Sequence, residues 1–220
     1  MTELIVDAAE PIALIGGAEL GPEHLNILQT LTQTFVAADS GADHLRRAGI
    51  IPKAVIGDFD SLSAAARTEF APHLHHLPEQ DTTDLEKALS CVSAPVLIGA
   101  GFLGGRLDHS FASFNALARS SGKRLILLSD ADRCFLSPST QGDIELPEGT
   151  PFALLPMTDA RATTNGLVWD MDDMALSPVG RVSSSNKTKA PIVTVRVTGA
   201  AIVTLPIEML QAAIAVVRAE

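Results

Sequence analysis

The sequence predicts an α/β unit followed by an antiparallel β unit, and three observations support this fold class. From Pro11 to about Ser129, apolar β-rich runs alternate with helical patterns, which is typical of a mostly parallel sheet covered by helices. After Ser129, short apolar runs are separated by Gly, Pro, Asn or Asp, as in an antiparallel sandwich or barrel. Acidic motifs follow predicted strands. We therefore expect two domains, residues 1–130 and 131–220.

Five runs in the first half have the composition of strands. They are Ile12–Ile15, Phe35–Ala38, Ala54–Ile56, Val96–Ile98 and Leu125–Leu128. The segments between them carry apolar residues at three- and four-residue spacing, which predicts helices. These segments are Glu23–Thr32, Asp43–Ala48, Ala64–Phe70, Asp84–Val92 and Ser110–Ser120. This order predicts a mostly parallel sheet with flanking helices, a Rossmann-like arrangement.

The second half contains seven short runs that predict an antiparallel β-sandwich. They are Cys134–Leu136, Asp143–Leu146, Phe152–Leu155, Ala162–Thr164, Leu167–Trp169, Val193–Val197 and Ile202–Leu205. Asn165-Gly166 predicts a two-residue hairpin turn, because both residues accept a positive φ. The serine-rich stretch Val182–Lys189 indicates either a flexible loop or a polar ligand-binding loop. Pro206–Arg218 suggests a strand followed by a short helix that packs or contacts another subunit.

Composition limits the possible function classes. With 220 residues, of which 46% are hydrophobic, the chain can bury a core of ordinary size. The formal net charge of −10 argues against non-specific nucleic-acid binding, since a polyanionic ligand would need metal ions or a local group of basic residues. No apolar run approaches the roughly 20 residues that span a bilayer, and the N-terminus lacks a signal-like pattern. We expect a cytoplasmic protein.

Cysteines and histidines give no metal-ligand pattern. Cys91 and Cys134 lack any paired Cys or His spacing, which favours buried free thiols over a disulfide or a metal site. His73, His75 and His76 have no fixed spacing with neighbouring acids and indicate strand or surface positions.

Acidic residues follow two of the predicted strands. Asp39 lies within Ala38–Ala42, and the next strand ends in Gly57–Ser61. In open α/β sheets, ligands bind outside the carboxyl ends of the strands. Residues two apart in an extended chain point the same way, so Asp58 and Asp60 could share one cation. The alternative is that Asp60 or the serine after it caps the following helix.

A third acidic motif marks a helix start. Thr83 and Glu86 have the spacing of a capping box. Capping leaves Asp81, Asp84 and Lys87 unexplained, and a helix N-terminus is itself a site for anions such as phosphate. Lys87, one turn into the helix, could reach a phosphate or could be solvated.

Two glycine-rich segments also follow predicted strands. Gly16-Gly17 could let backbone N–H groups approach a phosphate, or could be a plain tight turn. The segment Gly99–His109 combines four glycines with Arg, Asp and His at the start of a helix. Arg106 suits bidentate phosphate binding, Asp108 is an N-cap or part of an acidic cluster, and His109 stabilises the local turn.

Four motifs in this order resemble those of the thiamine pyrophosphokinase family. They are Ala38–Ala42, Gly57–Ser61, Gln80–Asp84 and Gly104–His109, and the resemblance extends to Gly166–Trp169 and Val182–Asn186. It implies a catalytic α/β domain, a C-terminal β-sandwich and a homodimer. It also implies transfer of the pyrophosphoryl group of ATP to the hydroxyl of thiamine, giving thiamine diphosphate and AMP.

The resemblance assigns roles to residues of this chain by position. Asp58, Asp60 and Asp84 would hold Mg²⁺, with Asp39 and Asp108 completing the acidic pocket. The residues expected at ATP are Gly16, Gly17, Asp39, Gln80, Thr83, Lys87 and Arg106. Ser183, Ser185 and Asn186 would lie near thiamine at the subunit interface. Trp169 could stack on an aromatic ligand, although a Trp in a sandwich strand is more often part of the core.

The residue types suit this chemistry, because phosphoryl-type transfer depends mainly on positioning and charge neutralisation. Arg106 and a bound cation would stabilise charge on the phosphate oxygens. Asp81 or Asp108 would accept or orient the proton of the hydroxyl. Two other functions use the same residues: a metal-dependent phosphohydrolase that activates water, and a non-enzymatic nucleotide sensor. The Gly-rich loop with Arg106 and the serine run favour the kinase.

Overall fold

The computed structural model describes residues 3–120, 122–129, 133–138 and 140–219. The chain has a mixed α/β fold and forms two compact units. The first lies within Met1–Ala116 and Leu128–Asp130, and the second within Leu117–Leu127 and Ala131–Glu220. The predicted boundary near residue 130 falls on residues 130–132, which lie outside the described residues.

The first unit contains alternating strands and helices. They are β1 (Val6–Asp7), β2 (Ile12–Ile15), α1 (Pro22–Leu31), β3 (Thr34–Ala38), α2 (Gly41–Arg47), β4 (Ala54–Gly57), α3 (Ala64–Glu69), β5 (Leu74–His76), α4 (Asp84–Cys91), β6 (Val92–Ser93), β7 (Leu97–Ala100) and α5 (Leu107–Arg119), of which α5 belongs to this unit up to Ala116. The four strands and five helices predicted here are confirmed within three residues. The short strands β1, β5 and β6 were not predicted. His75 and His76 lie in β5, as their strand or surface assignment allows.

Five strands pair in parallel in the order β7-β2-β3-β4-β5. Every residue of β2, β3, β4 and β7 is buried, as expected for a parallel sheet covered on both faces. The chain continues from β2 to β3 on one side, whereas β7 pairs on the other side of β2. Ligands of open α/β sheets bind at such a reversal, outside the carboxyl ends of the strands.

Helices α3 and α4 begin with side-chain caps. The predicted capping box is confirmed at α4, where the hydroxyl of Thr83 accepts the N–H of Glu86 and the carboxylate of Glu86 accepts the N–H of Thr83. The N-cap of α3 is Ser63, so the alternative that Asp60 or Ser61 caps this helix is wrong. Asp108 lies inside α5 and is not its N-cap. No helix among the described residues is long and apolar enough to span a membrane.

The second unit consists mainly of antiparallel strands. Its strands are β8 (Leu125–Leu128, of which Leu128 belongs to the first unit), β9 (Arg133–Leu136), β10 (Gly142–Glu145), β11 (Pro151–Pro156), β12 (Ala160–Asn165), β13 (Met174–Leu176), β14 (Ser183–Lys187), β15 (Ile192–Thr198) and β16 (Ala201–Pro206). Helix α6 (Leu210–Arg218) follows them. Antiparallel pairing joins β9-β16-β11-β14 and, separately, β10-β15-β12-β13. The predicted antiparallel character of this half is confirmed.

The predicted hairpin at Asn165-Gly166 is wrong. Gly166 has the expected positive φ of +102°, but Leu167 forms a bridge with Thr188 instead of pairing back onto β12. The next strand along the chain that pairs with β12 is β13, which begins seven residues further on than the predicted one. A wider turn results because the N–H of Leu167 binds the carboxylate of Asp170 at 2.9 Å.

The loop predicted at Val182–Lys189 is also wrong, because most of it is strand β14. Serine is only weakly unfavourable in a strand, so the pairing partner decides the structure. Here β14 pairs with the apolar strand β11, with Asn186 opposite Phe152, and composition alone did not indicate this pairing. β16 ends at Pro206, and a 3₁₀ turn at Ile207–Met209 leads into α6, so the short helix predicted in Pro206–Arg218 is confirmed and the strand predicted before it is wrong.

Both cysteines are buried free thiols, as predicted. Burial raises the pKa of the Cys134 thiol to about 12. Near pH 8 the native protein should therefore not react with a thiolate-specific reagent such as DTNB, because the reactive species is the thiolate. After denaturation the same assay should detect two thiols. Rapid labelling of the native protein would contradict this burial.

Candidate functional site

A cleft of about 820 Å³ lies in the first unit, among the segments that follow β2, β4 and β7 and the first turns of α4 and α5. Ten residues with predicted roles line it. They are Gly16, Gly17, Asp58, Asp60, Gln80, Thr83, Asp84, Lys87, Arg106 and Asp108. Parallel pairing gathers these residues, since it brings the carboxyl ends of distant strands to one edge.

The cleft also contains residues that were not expected to bind ATP, thiamine or a metal ion. They include Ala18, Glu19, Ser40, Ser61, Thr82, Leu85, Phe102, His109, Ala112 and Ser113. Most of them lie next to a predicted residue in the sequence. Their position beside a motif was the signal that could have identified them. Asp81 does not line the cleft. Its backbone N–H instead binds the carboxylate of Glu79, which also accepts the N–H of Thr82 and shapes this loop.

Three carboxylates meet beside the cleft, of which Asp58 and Asp60 line it and the buried Asp39 does not. One oxygen from each of Asp39, Asp58 and Asp60 lies within 4.8 Å of the others, and we call these residues the carboxylate cluster. The predicted convergence of Asp58 and Asp60 is confirmed, but the chain between them is not extended. Phe59 has a φ of +67°, and the N–H of Asp60 donates to Asp58 Oδ1 at 3.2 Å. A turn therefore brings the two carboxylates together.

Asp39 is the buried member of the cluster. It follows β3, is 1% exposed, and neither carboxylate oxygen has a hydrogen bond of normal geometry among the described residues. Burial, together with the nearby carboxylates of Asp84, Asp58 and Asp60, raises its pKa to about 7, and the backbone N–H of Ser61 opposes this shift only in part. A buried carboxylate without a well-formed hydrogen bond is unfavourable, so this position favours a proton or a cation.

Asp58 has the opposite environment. Its Oδ2 accepts hydrogen bonds from Gln80 Nε2 at 2.8 Å and from Lys87 Nζ at 3.1 Å. Burial acts to raise the pKa of Asp58, but the hydrogen bonds from the Asp60 N–H, Lys87 and Gln80 outweigh it and lower the pKa to about 2. Asp58 is therefore a stable carboxylate throughout the neutral range.

Lys87 is a buried counter-ion, so the alternative of a solvated lysine is wrong. Its side chain is 3% exposed and lies between Asp58 and Asp84, with its ammonium 3.8 Å from Asp84 Oδ1. Asp84 does not belong to the carboxylate cluster among the described residues. Burial raises the pKa of Asp84, and Lys87 opposes this effect.

Arg106 and Asp108 form an exposed ion pair at the cleft. Arg106 Nε donates to Asp108 Oδ1 at 3.2 Å, and a second bond joins Nη2 to Oδ2. This pairing holds the pKa of Asp108 below its usual range. Exposed pairs of this kind contribute little to stability, so the guanidinium can exchange Asp108 for another anion.

Two glycines bring the segments after β2 and β7 into close contact. A Cβ on Gly16 would lie 2.4 Å from the carbonyl oxygen of Gly101, and a Cβ on Gly101 would lie 2.5 Å from that of Gly16. The N–H of Gly16 donates to Ala100 O and that of Ala18 to Gly101 O, each at 2.8 Å. The N–H of Gly16 is therefore engaged by the segment after β7 and is not free for a phosphate.

The residues expected near thiamine lie in the second unit, on β14. Ser185 is exposed, Ser183 is half-buried and Asn186 is buried. The Asn186 amide donates to the carbonyl oxygen of Trp169 at 2.8 Å and accepts its N–H at 3.2 Å. Trp169 is 62% exposed, so its assignment to the core is wrong. Asn186 fixes the backbone that presents this exposed indole.

The carboxylate cluster fits a divalent cation. Carboxylate oxygens are the ligands that Mg²⁺ and similar hard cations prefer. The two unpartnered oxygens of Asp39 lie beside Asp58 and Asp60, and a cation would satisfy them. The parallel sheet and this site define an α/β protein with an acidic ligand cleft at the carboxyl edge of its sheet.

Comparisons with known proteins identify the family. Residues 26–127 match the model "Thiamin pyrophosphokinase, catalytic domain", and residues 140–202 match "Thiamin pyrophosphokinase, vitamin B1 binding domain". Together these segments make up most of the chain. The chain belongs to the thiamine pyrophosphokinase family, as the sequence motifs indicated.

Individual relatives agree with this assignment. Thiamine pyrophosphokinase 1 of Oryza sativa subsp. japonica is 34% identical over 67% of this chain and 62% of its own length. Thiamine pyrophosphokinase of Bacillus subtilis (strain 168) is 30% identical over 57% of this chain and 63% of its own. The matches thus span less than two thirds of these relatives.

Solved structures share the fold. Yeast thiamin pyrophosphokinase superposes with a TM-score of 0.75 at 19% identity, covering 92% of this chain and 88% of that chain. Thiamin pyrophosphokinase from Geobacillus thermodenitrificans superposes with a TM-score of 0.74 at 22% identity, covering 89% and 96%.

The two environments of Asp39 and Asp58 predict stability changes of opposite sign. Asp39 has a pKa of about 7 in the folded state against 3.8 when unperturbed, so its ionisation destabilises the cation-free protein above neutral pH. Asp39→Asn should raise the free energy of unfolding near pH 8 by on the order of 4 kcal/mol, and this gain should shrink as pH falls toward 4.

Asp58→Asn is the matched control. It removes a carboxylate whose pKa is lowered in the fold, so it should reduce the free energy of unfolding near pH 8 by about 2 kcal/mol, an effect that fades as pH falls through the lowered pKa. Urea denaturation with a chelator measures both variants across pH. Equal effects of the same sign would contradict the difference between the two sites.

Proposed function

We propose that the protein transfers the pyrophosphoryl group of ATP to the hydroxyl of thiamine, giving thiamine diphosphate and AMP. The observation that carries this proposal is the carboxylate cluster, with a buried and unpartnered Asp39, in the cleft of a thiamine pyrophosphokinase family member. The match to a vitamin B1 binding domain supports thiamine as the acceptor. An acidic cleft binds a nucleoside triphosphate best when a cation neutralises the charge of the phosphates.

Asp39, Asp58 and Asp60 would hold Mg²⁺, with Asp84 contributing from the far side of Lys87. The bound ion would supply positive charge to the phosphate oxygens. Lys87 and Gln80 already donate to Asp58, so both donors lie where a phosphate beside the cation would sit. Arg106 would exchange Asp108 for a phosphate, because it is exposed and forms a bidentate pair. Gly17 and Thr83 would complete the ATP contacts.

Asp108 is the stronger candidate to orient the thiamine hydroxyl. It lines the cleft, whereas Asp81 does not. Its lowered pKa makes it a weak base while Arg106 is bound, so its role is to accept a hydrogen bond from the hydroxyl once Arg106 turns to phosphate. The leaving AMP requires no proton from a histidine.

The second unit would supply thiamine contacts. Trp169 offers an exposed indole for stacking on an aromatic ring, and Ser183 and Ser185 offer hydroxyls on the neighbouring strand β14. Asn186 would act through Trp169, whose backbone it binds. We infer a Rossmann-like catalytic domain of residues 1–130, a β-sandwich of residues 131–220, a homodimer and a cytoplasmic location.

Two other functions would give different results with ATP. A metal-dependent phosphohydrolase would release phosphate from ATP without thiamine, and a nucleotide sensor would bind ATP without turnover. The vitamin B1 binding match disfavours both, since neither function needs a thiamine site.

Incubation with ATP, thiamine and Mg²⁺ should yield AMP and thiamine diphosphate in equal amounts, and a chelator should abolish both products. Chromatography of the nucleotides and of thiamine diphosphate measures the reaction. ADP or phosphate released without thiamine would instead indicate the hydrolase, and no turnover would indicate the sensor.

Asp60→Ala tests whether the carboxylate cluster serves turnover and not folding. It should reduce turnover by roughly a hundredfold or more. It should change the free energy of unfolding by less than about 0.5 kcal/mol, because the Asp60 side chain is exposed and contributes no core packing. An exposed acid outside the cleft, Asp7, gives the control Asp7→Ala. Loss of folding in Asp60→Ala would make this residue structural.

Trp169→Leu should raise the KM for thiamine roughly three- to tenfold, because an aromatic stack contributes about 0.5–1.5 kcal/mol. The KM for ATP should not change. Val179, which is 98% exposed in the same unit, gives the control Val179→Ala. An unchanged KM for thiamine in Trp169→Leu would remove the indole from the binding site.

A further inference from the structure

The loop that carries two members of the carboxylate cluster is held in an unfavourable backbone conformation. Phe59, between Asp58 and Asp60, has a φ of +67°. A bulky residue rarely adopts this left-handed conformation, and it persists only where the surroundings enforce it. Among non-glycine residues that the structure describes, only Asp39, Phe59 and Asp173 have positive φ. Two of these three belong to the loops that form the cluster.

Contacts of the Phe59 ring compensate for this conformation. The ring is buried, with 5% of the residue exposed, and it stacks on His76 with centroids 5.4 Å apart and planes inclined by 29°. The Arg67 guanidinium lies over the same Phe59 ring, 5.4 Å from its centroid. Stacking and cation–π contacts thus fix the side chain of a strained residue.

Arg67 also fixes the backbone. Its Nη2 donates to the carbonyl oxygen of Phe59 at 2.7 Å. That carbonyl belongs to the same peptide group as the N–H of Asp60, which donates to Asp58 Oδ1 at 3.2 Å. Because a peptide group is planar, a hydrogen bond at its oxygen also orients its N–H. The orientation of Asp58 relative to Asp60 therefore depends on Arg67.

We propose that Arg67 is a positioning residue for the divalent cation. It holds the peptide group between Phe59 and Asp60 in the conformation that brings the carboxylates of Asp58 and Asp60 together. This inference rests on the cation site of the proposed function. Arg67 does not line the cleft and makes no contact with the cluster, so it acts through Phe59.

The helix that carries Arg67 has a fixed start. Its N-cap, Ser63, donates its hydroxyl and its backbone N–H to the carboxylate of Asp43 on α2. Arg67 lies one turn after this anchor. The guanidinium therefore reaches Phe59 from a rigid element, which is the arrangement that positioning of a metal ligand requires.

The chemistry of this contact favours Arg over Lys. A planar guanidinium can lie over an aromatic ring and donate an in-plane N–H to a carbonyl at the same time. An ammonium group on a flexible stem has no such fixed plane. Arg67→Lys thus keeps the charge but loses the simultaneous contacts, whereas Arg67→Ala loses both.

The test measures binding of Mn²⁺ alone to the full chain, by the EPR signal of the free ion, without nucleotide or thiamine. We expect both Arg67→Ala and Arg67→Lys to weaken Mn²⁺ binding by about tenfold or more, as for other residues that orient metal ligands. The sign is informative, because removal of a positive charge near three carboxylates would by itself strengthen cation binding.

Arg47→Ala is the charge-matched control. Arg47 is exposed on α2 and makes no contact with Phe59, so its removal should leave the affinity unchanged or slightly higher. Phe59→Gly provides a second test, since glycine adopts a positive φ without strain. In the Phe59→Gly background, Arg67→Ala should have a smaller effect on Mn²⁺ affinity than in the wild type.

The outcomes separate this inference from the proposed function. If the wild type binds no Mn²⁺, the cation site itself is wrong. If the wild type binds Mn²⁺ and folded Arg67→Lys binds it equally or more tightly, the positioning role is wrong while the cation site stands. Because Arg67→Lys retains the charge and an aliphatic stem, it decides the result if Arg67→Ala does not fold. An equal loss on Arg67→Ala in the Phe59→Gly background would also overturn the role of Phe59.

Discussion

Mutual repulsion among three carboxylates is the constraint on which the site depends. Parallel strands bring Asp39 and the Asp58–Asp60 turn to the same edge of the sheet, where one carboxylate is buried and lacks a partner. The fold must supply the free energy that keeps these groups together. It does so partly through Lys87, a buried ammonium whose charge offsets the cluster, and partly through a backbone turn that the surrounding contacts enforce.

The two halves of this compensation act at different positions. The Asp60 N–H, Lys87 and Gln80 stabilise the Asp58 carboxylate and lower its pKa, whereas burial and the neighbouring carboxylates raise the pKa of Asp39. Phe59 and the groups that hold it fix the backbone turn, and they affect charge only through the Asp60 N–H that donates to Asp58. Lys87 acts on charge directly, so affinity for a cation and stability of the fold need not change together.

Much of the first unit followed from the sequence, because parallel strands that are buried on both faces are nearly continuous apolar runs. The acidic strand ends indicated the cleft for the same reason. The turn at Phe59 and the tether from Arg67 could not be predicted, since positive φ at Phe59 results from tertiary contacts and not from local preference. In the second unit, β14 was missed because its strand character comes from pairing with β11, and composition does not indicate a pairing partner.

The contact between Gly16 and Gly101 also affects the entropy of ligand binding. Neither glycine can carry a side chain here, since a Cβ at either position would collide with the opposite carbonyl. Side chains that line a binding site usually lose rotameric freedom when a ligand arrives, at a cost of about 0.5–1.5 kcal/mol for each flexible side chain. Two residues without rotamers lose none. This surface is rigid before binding and offers the ligand a fixed outline.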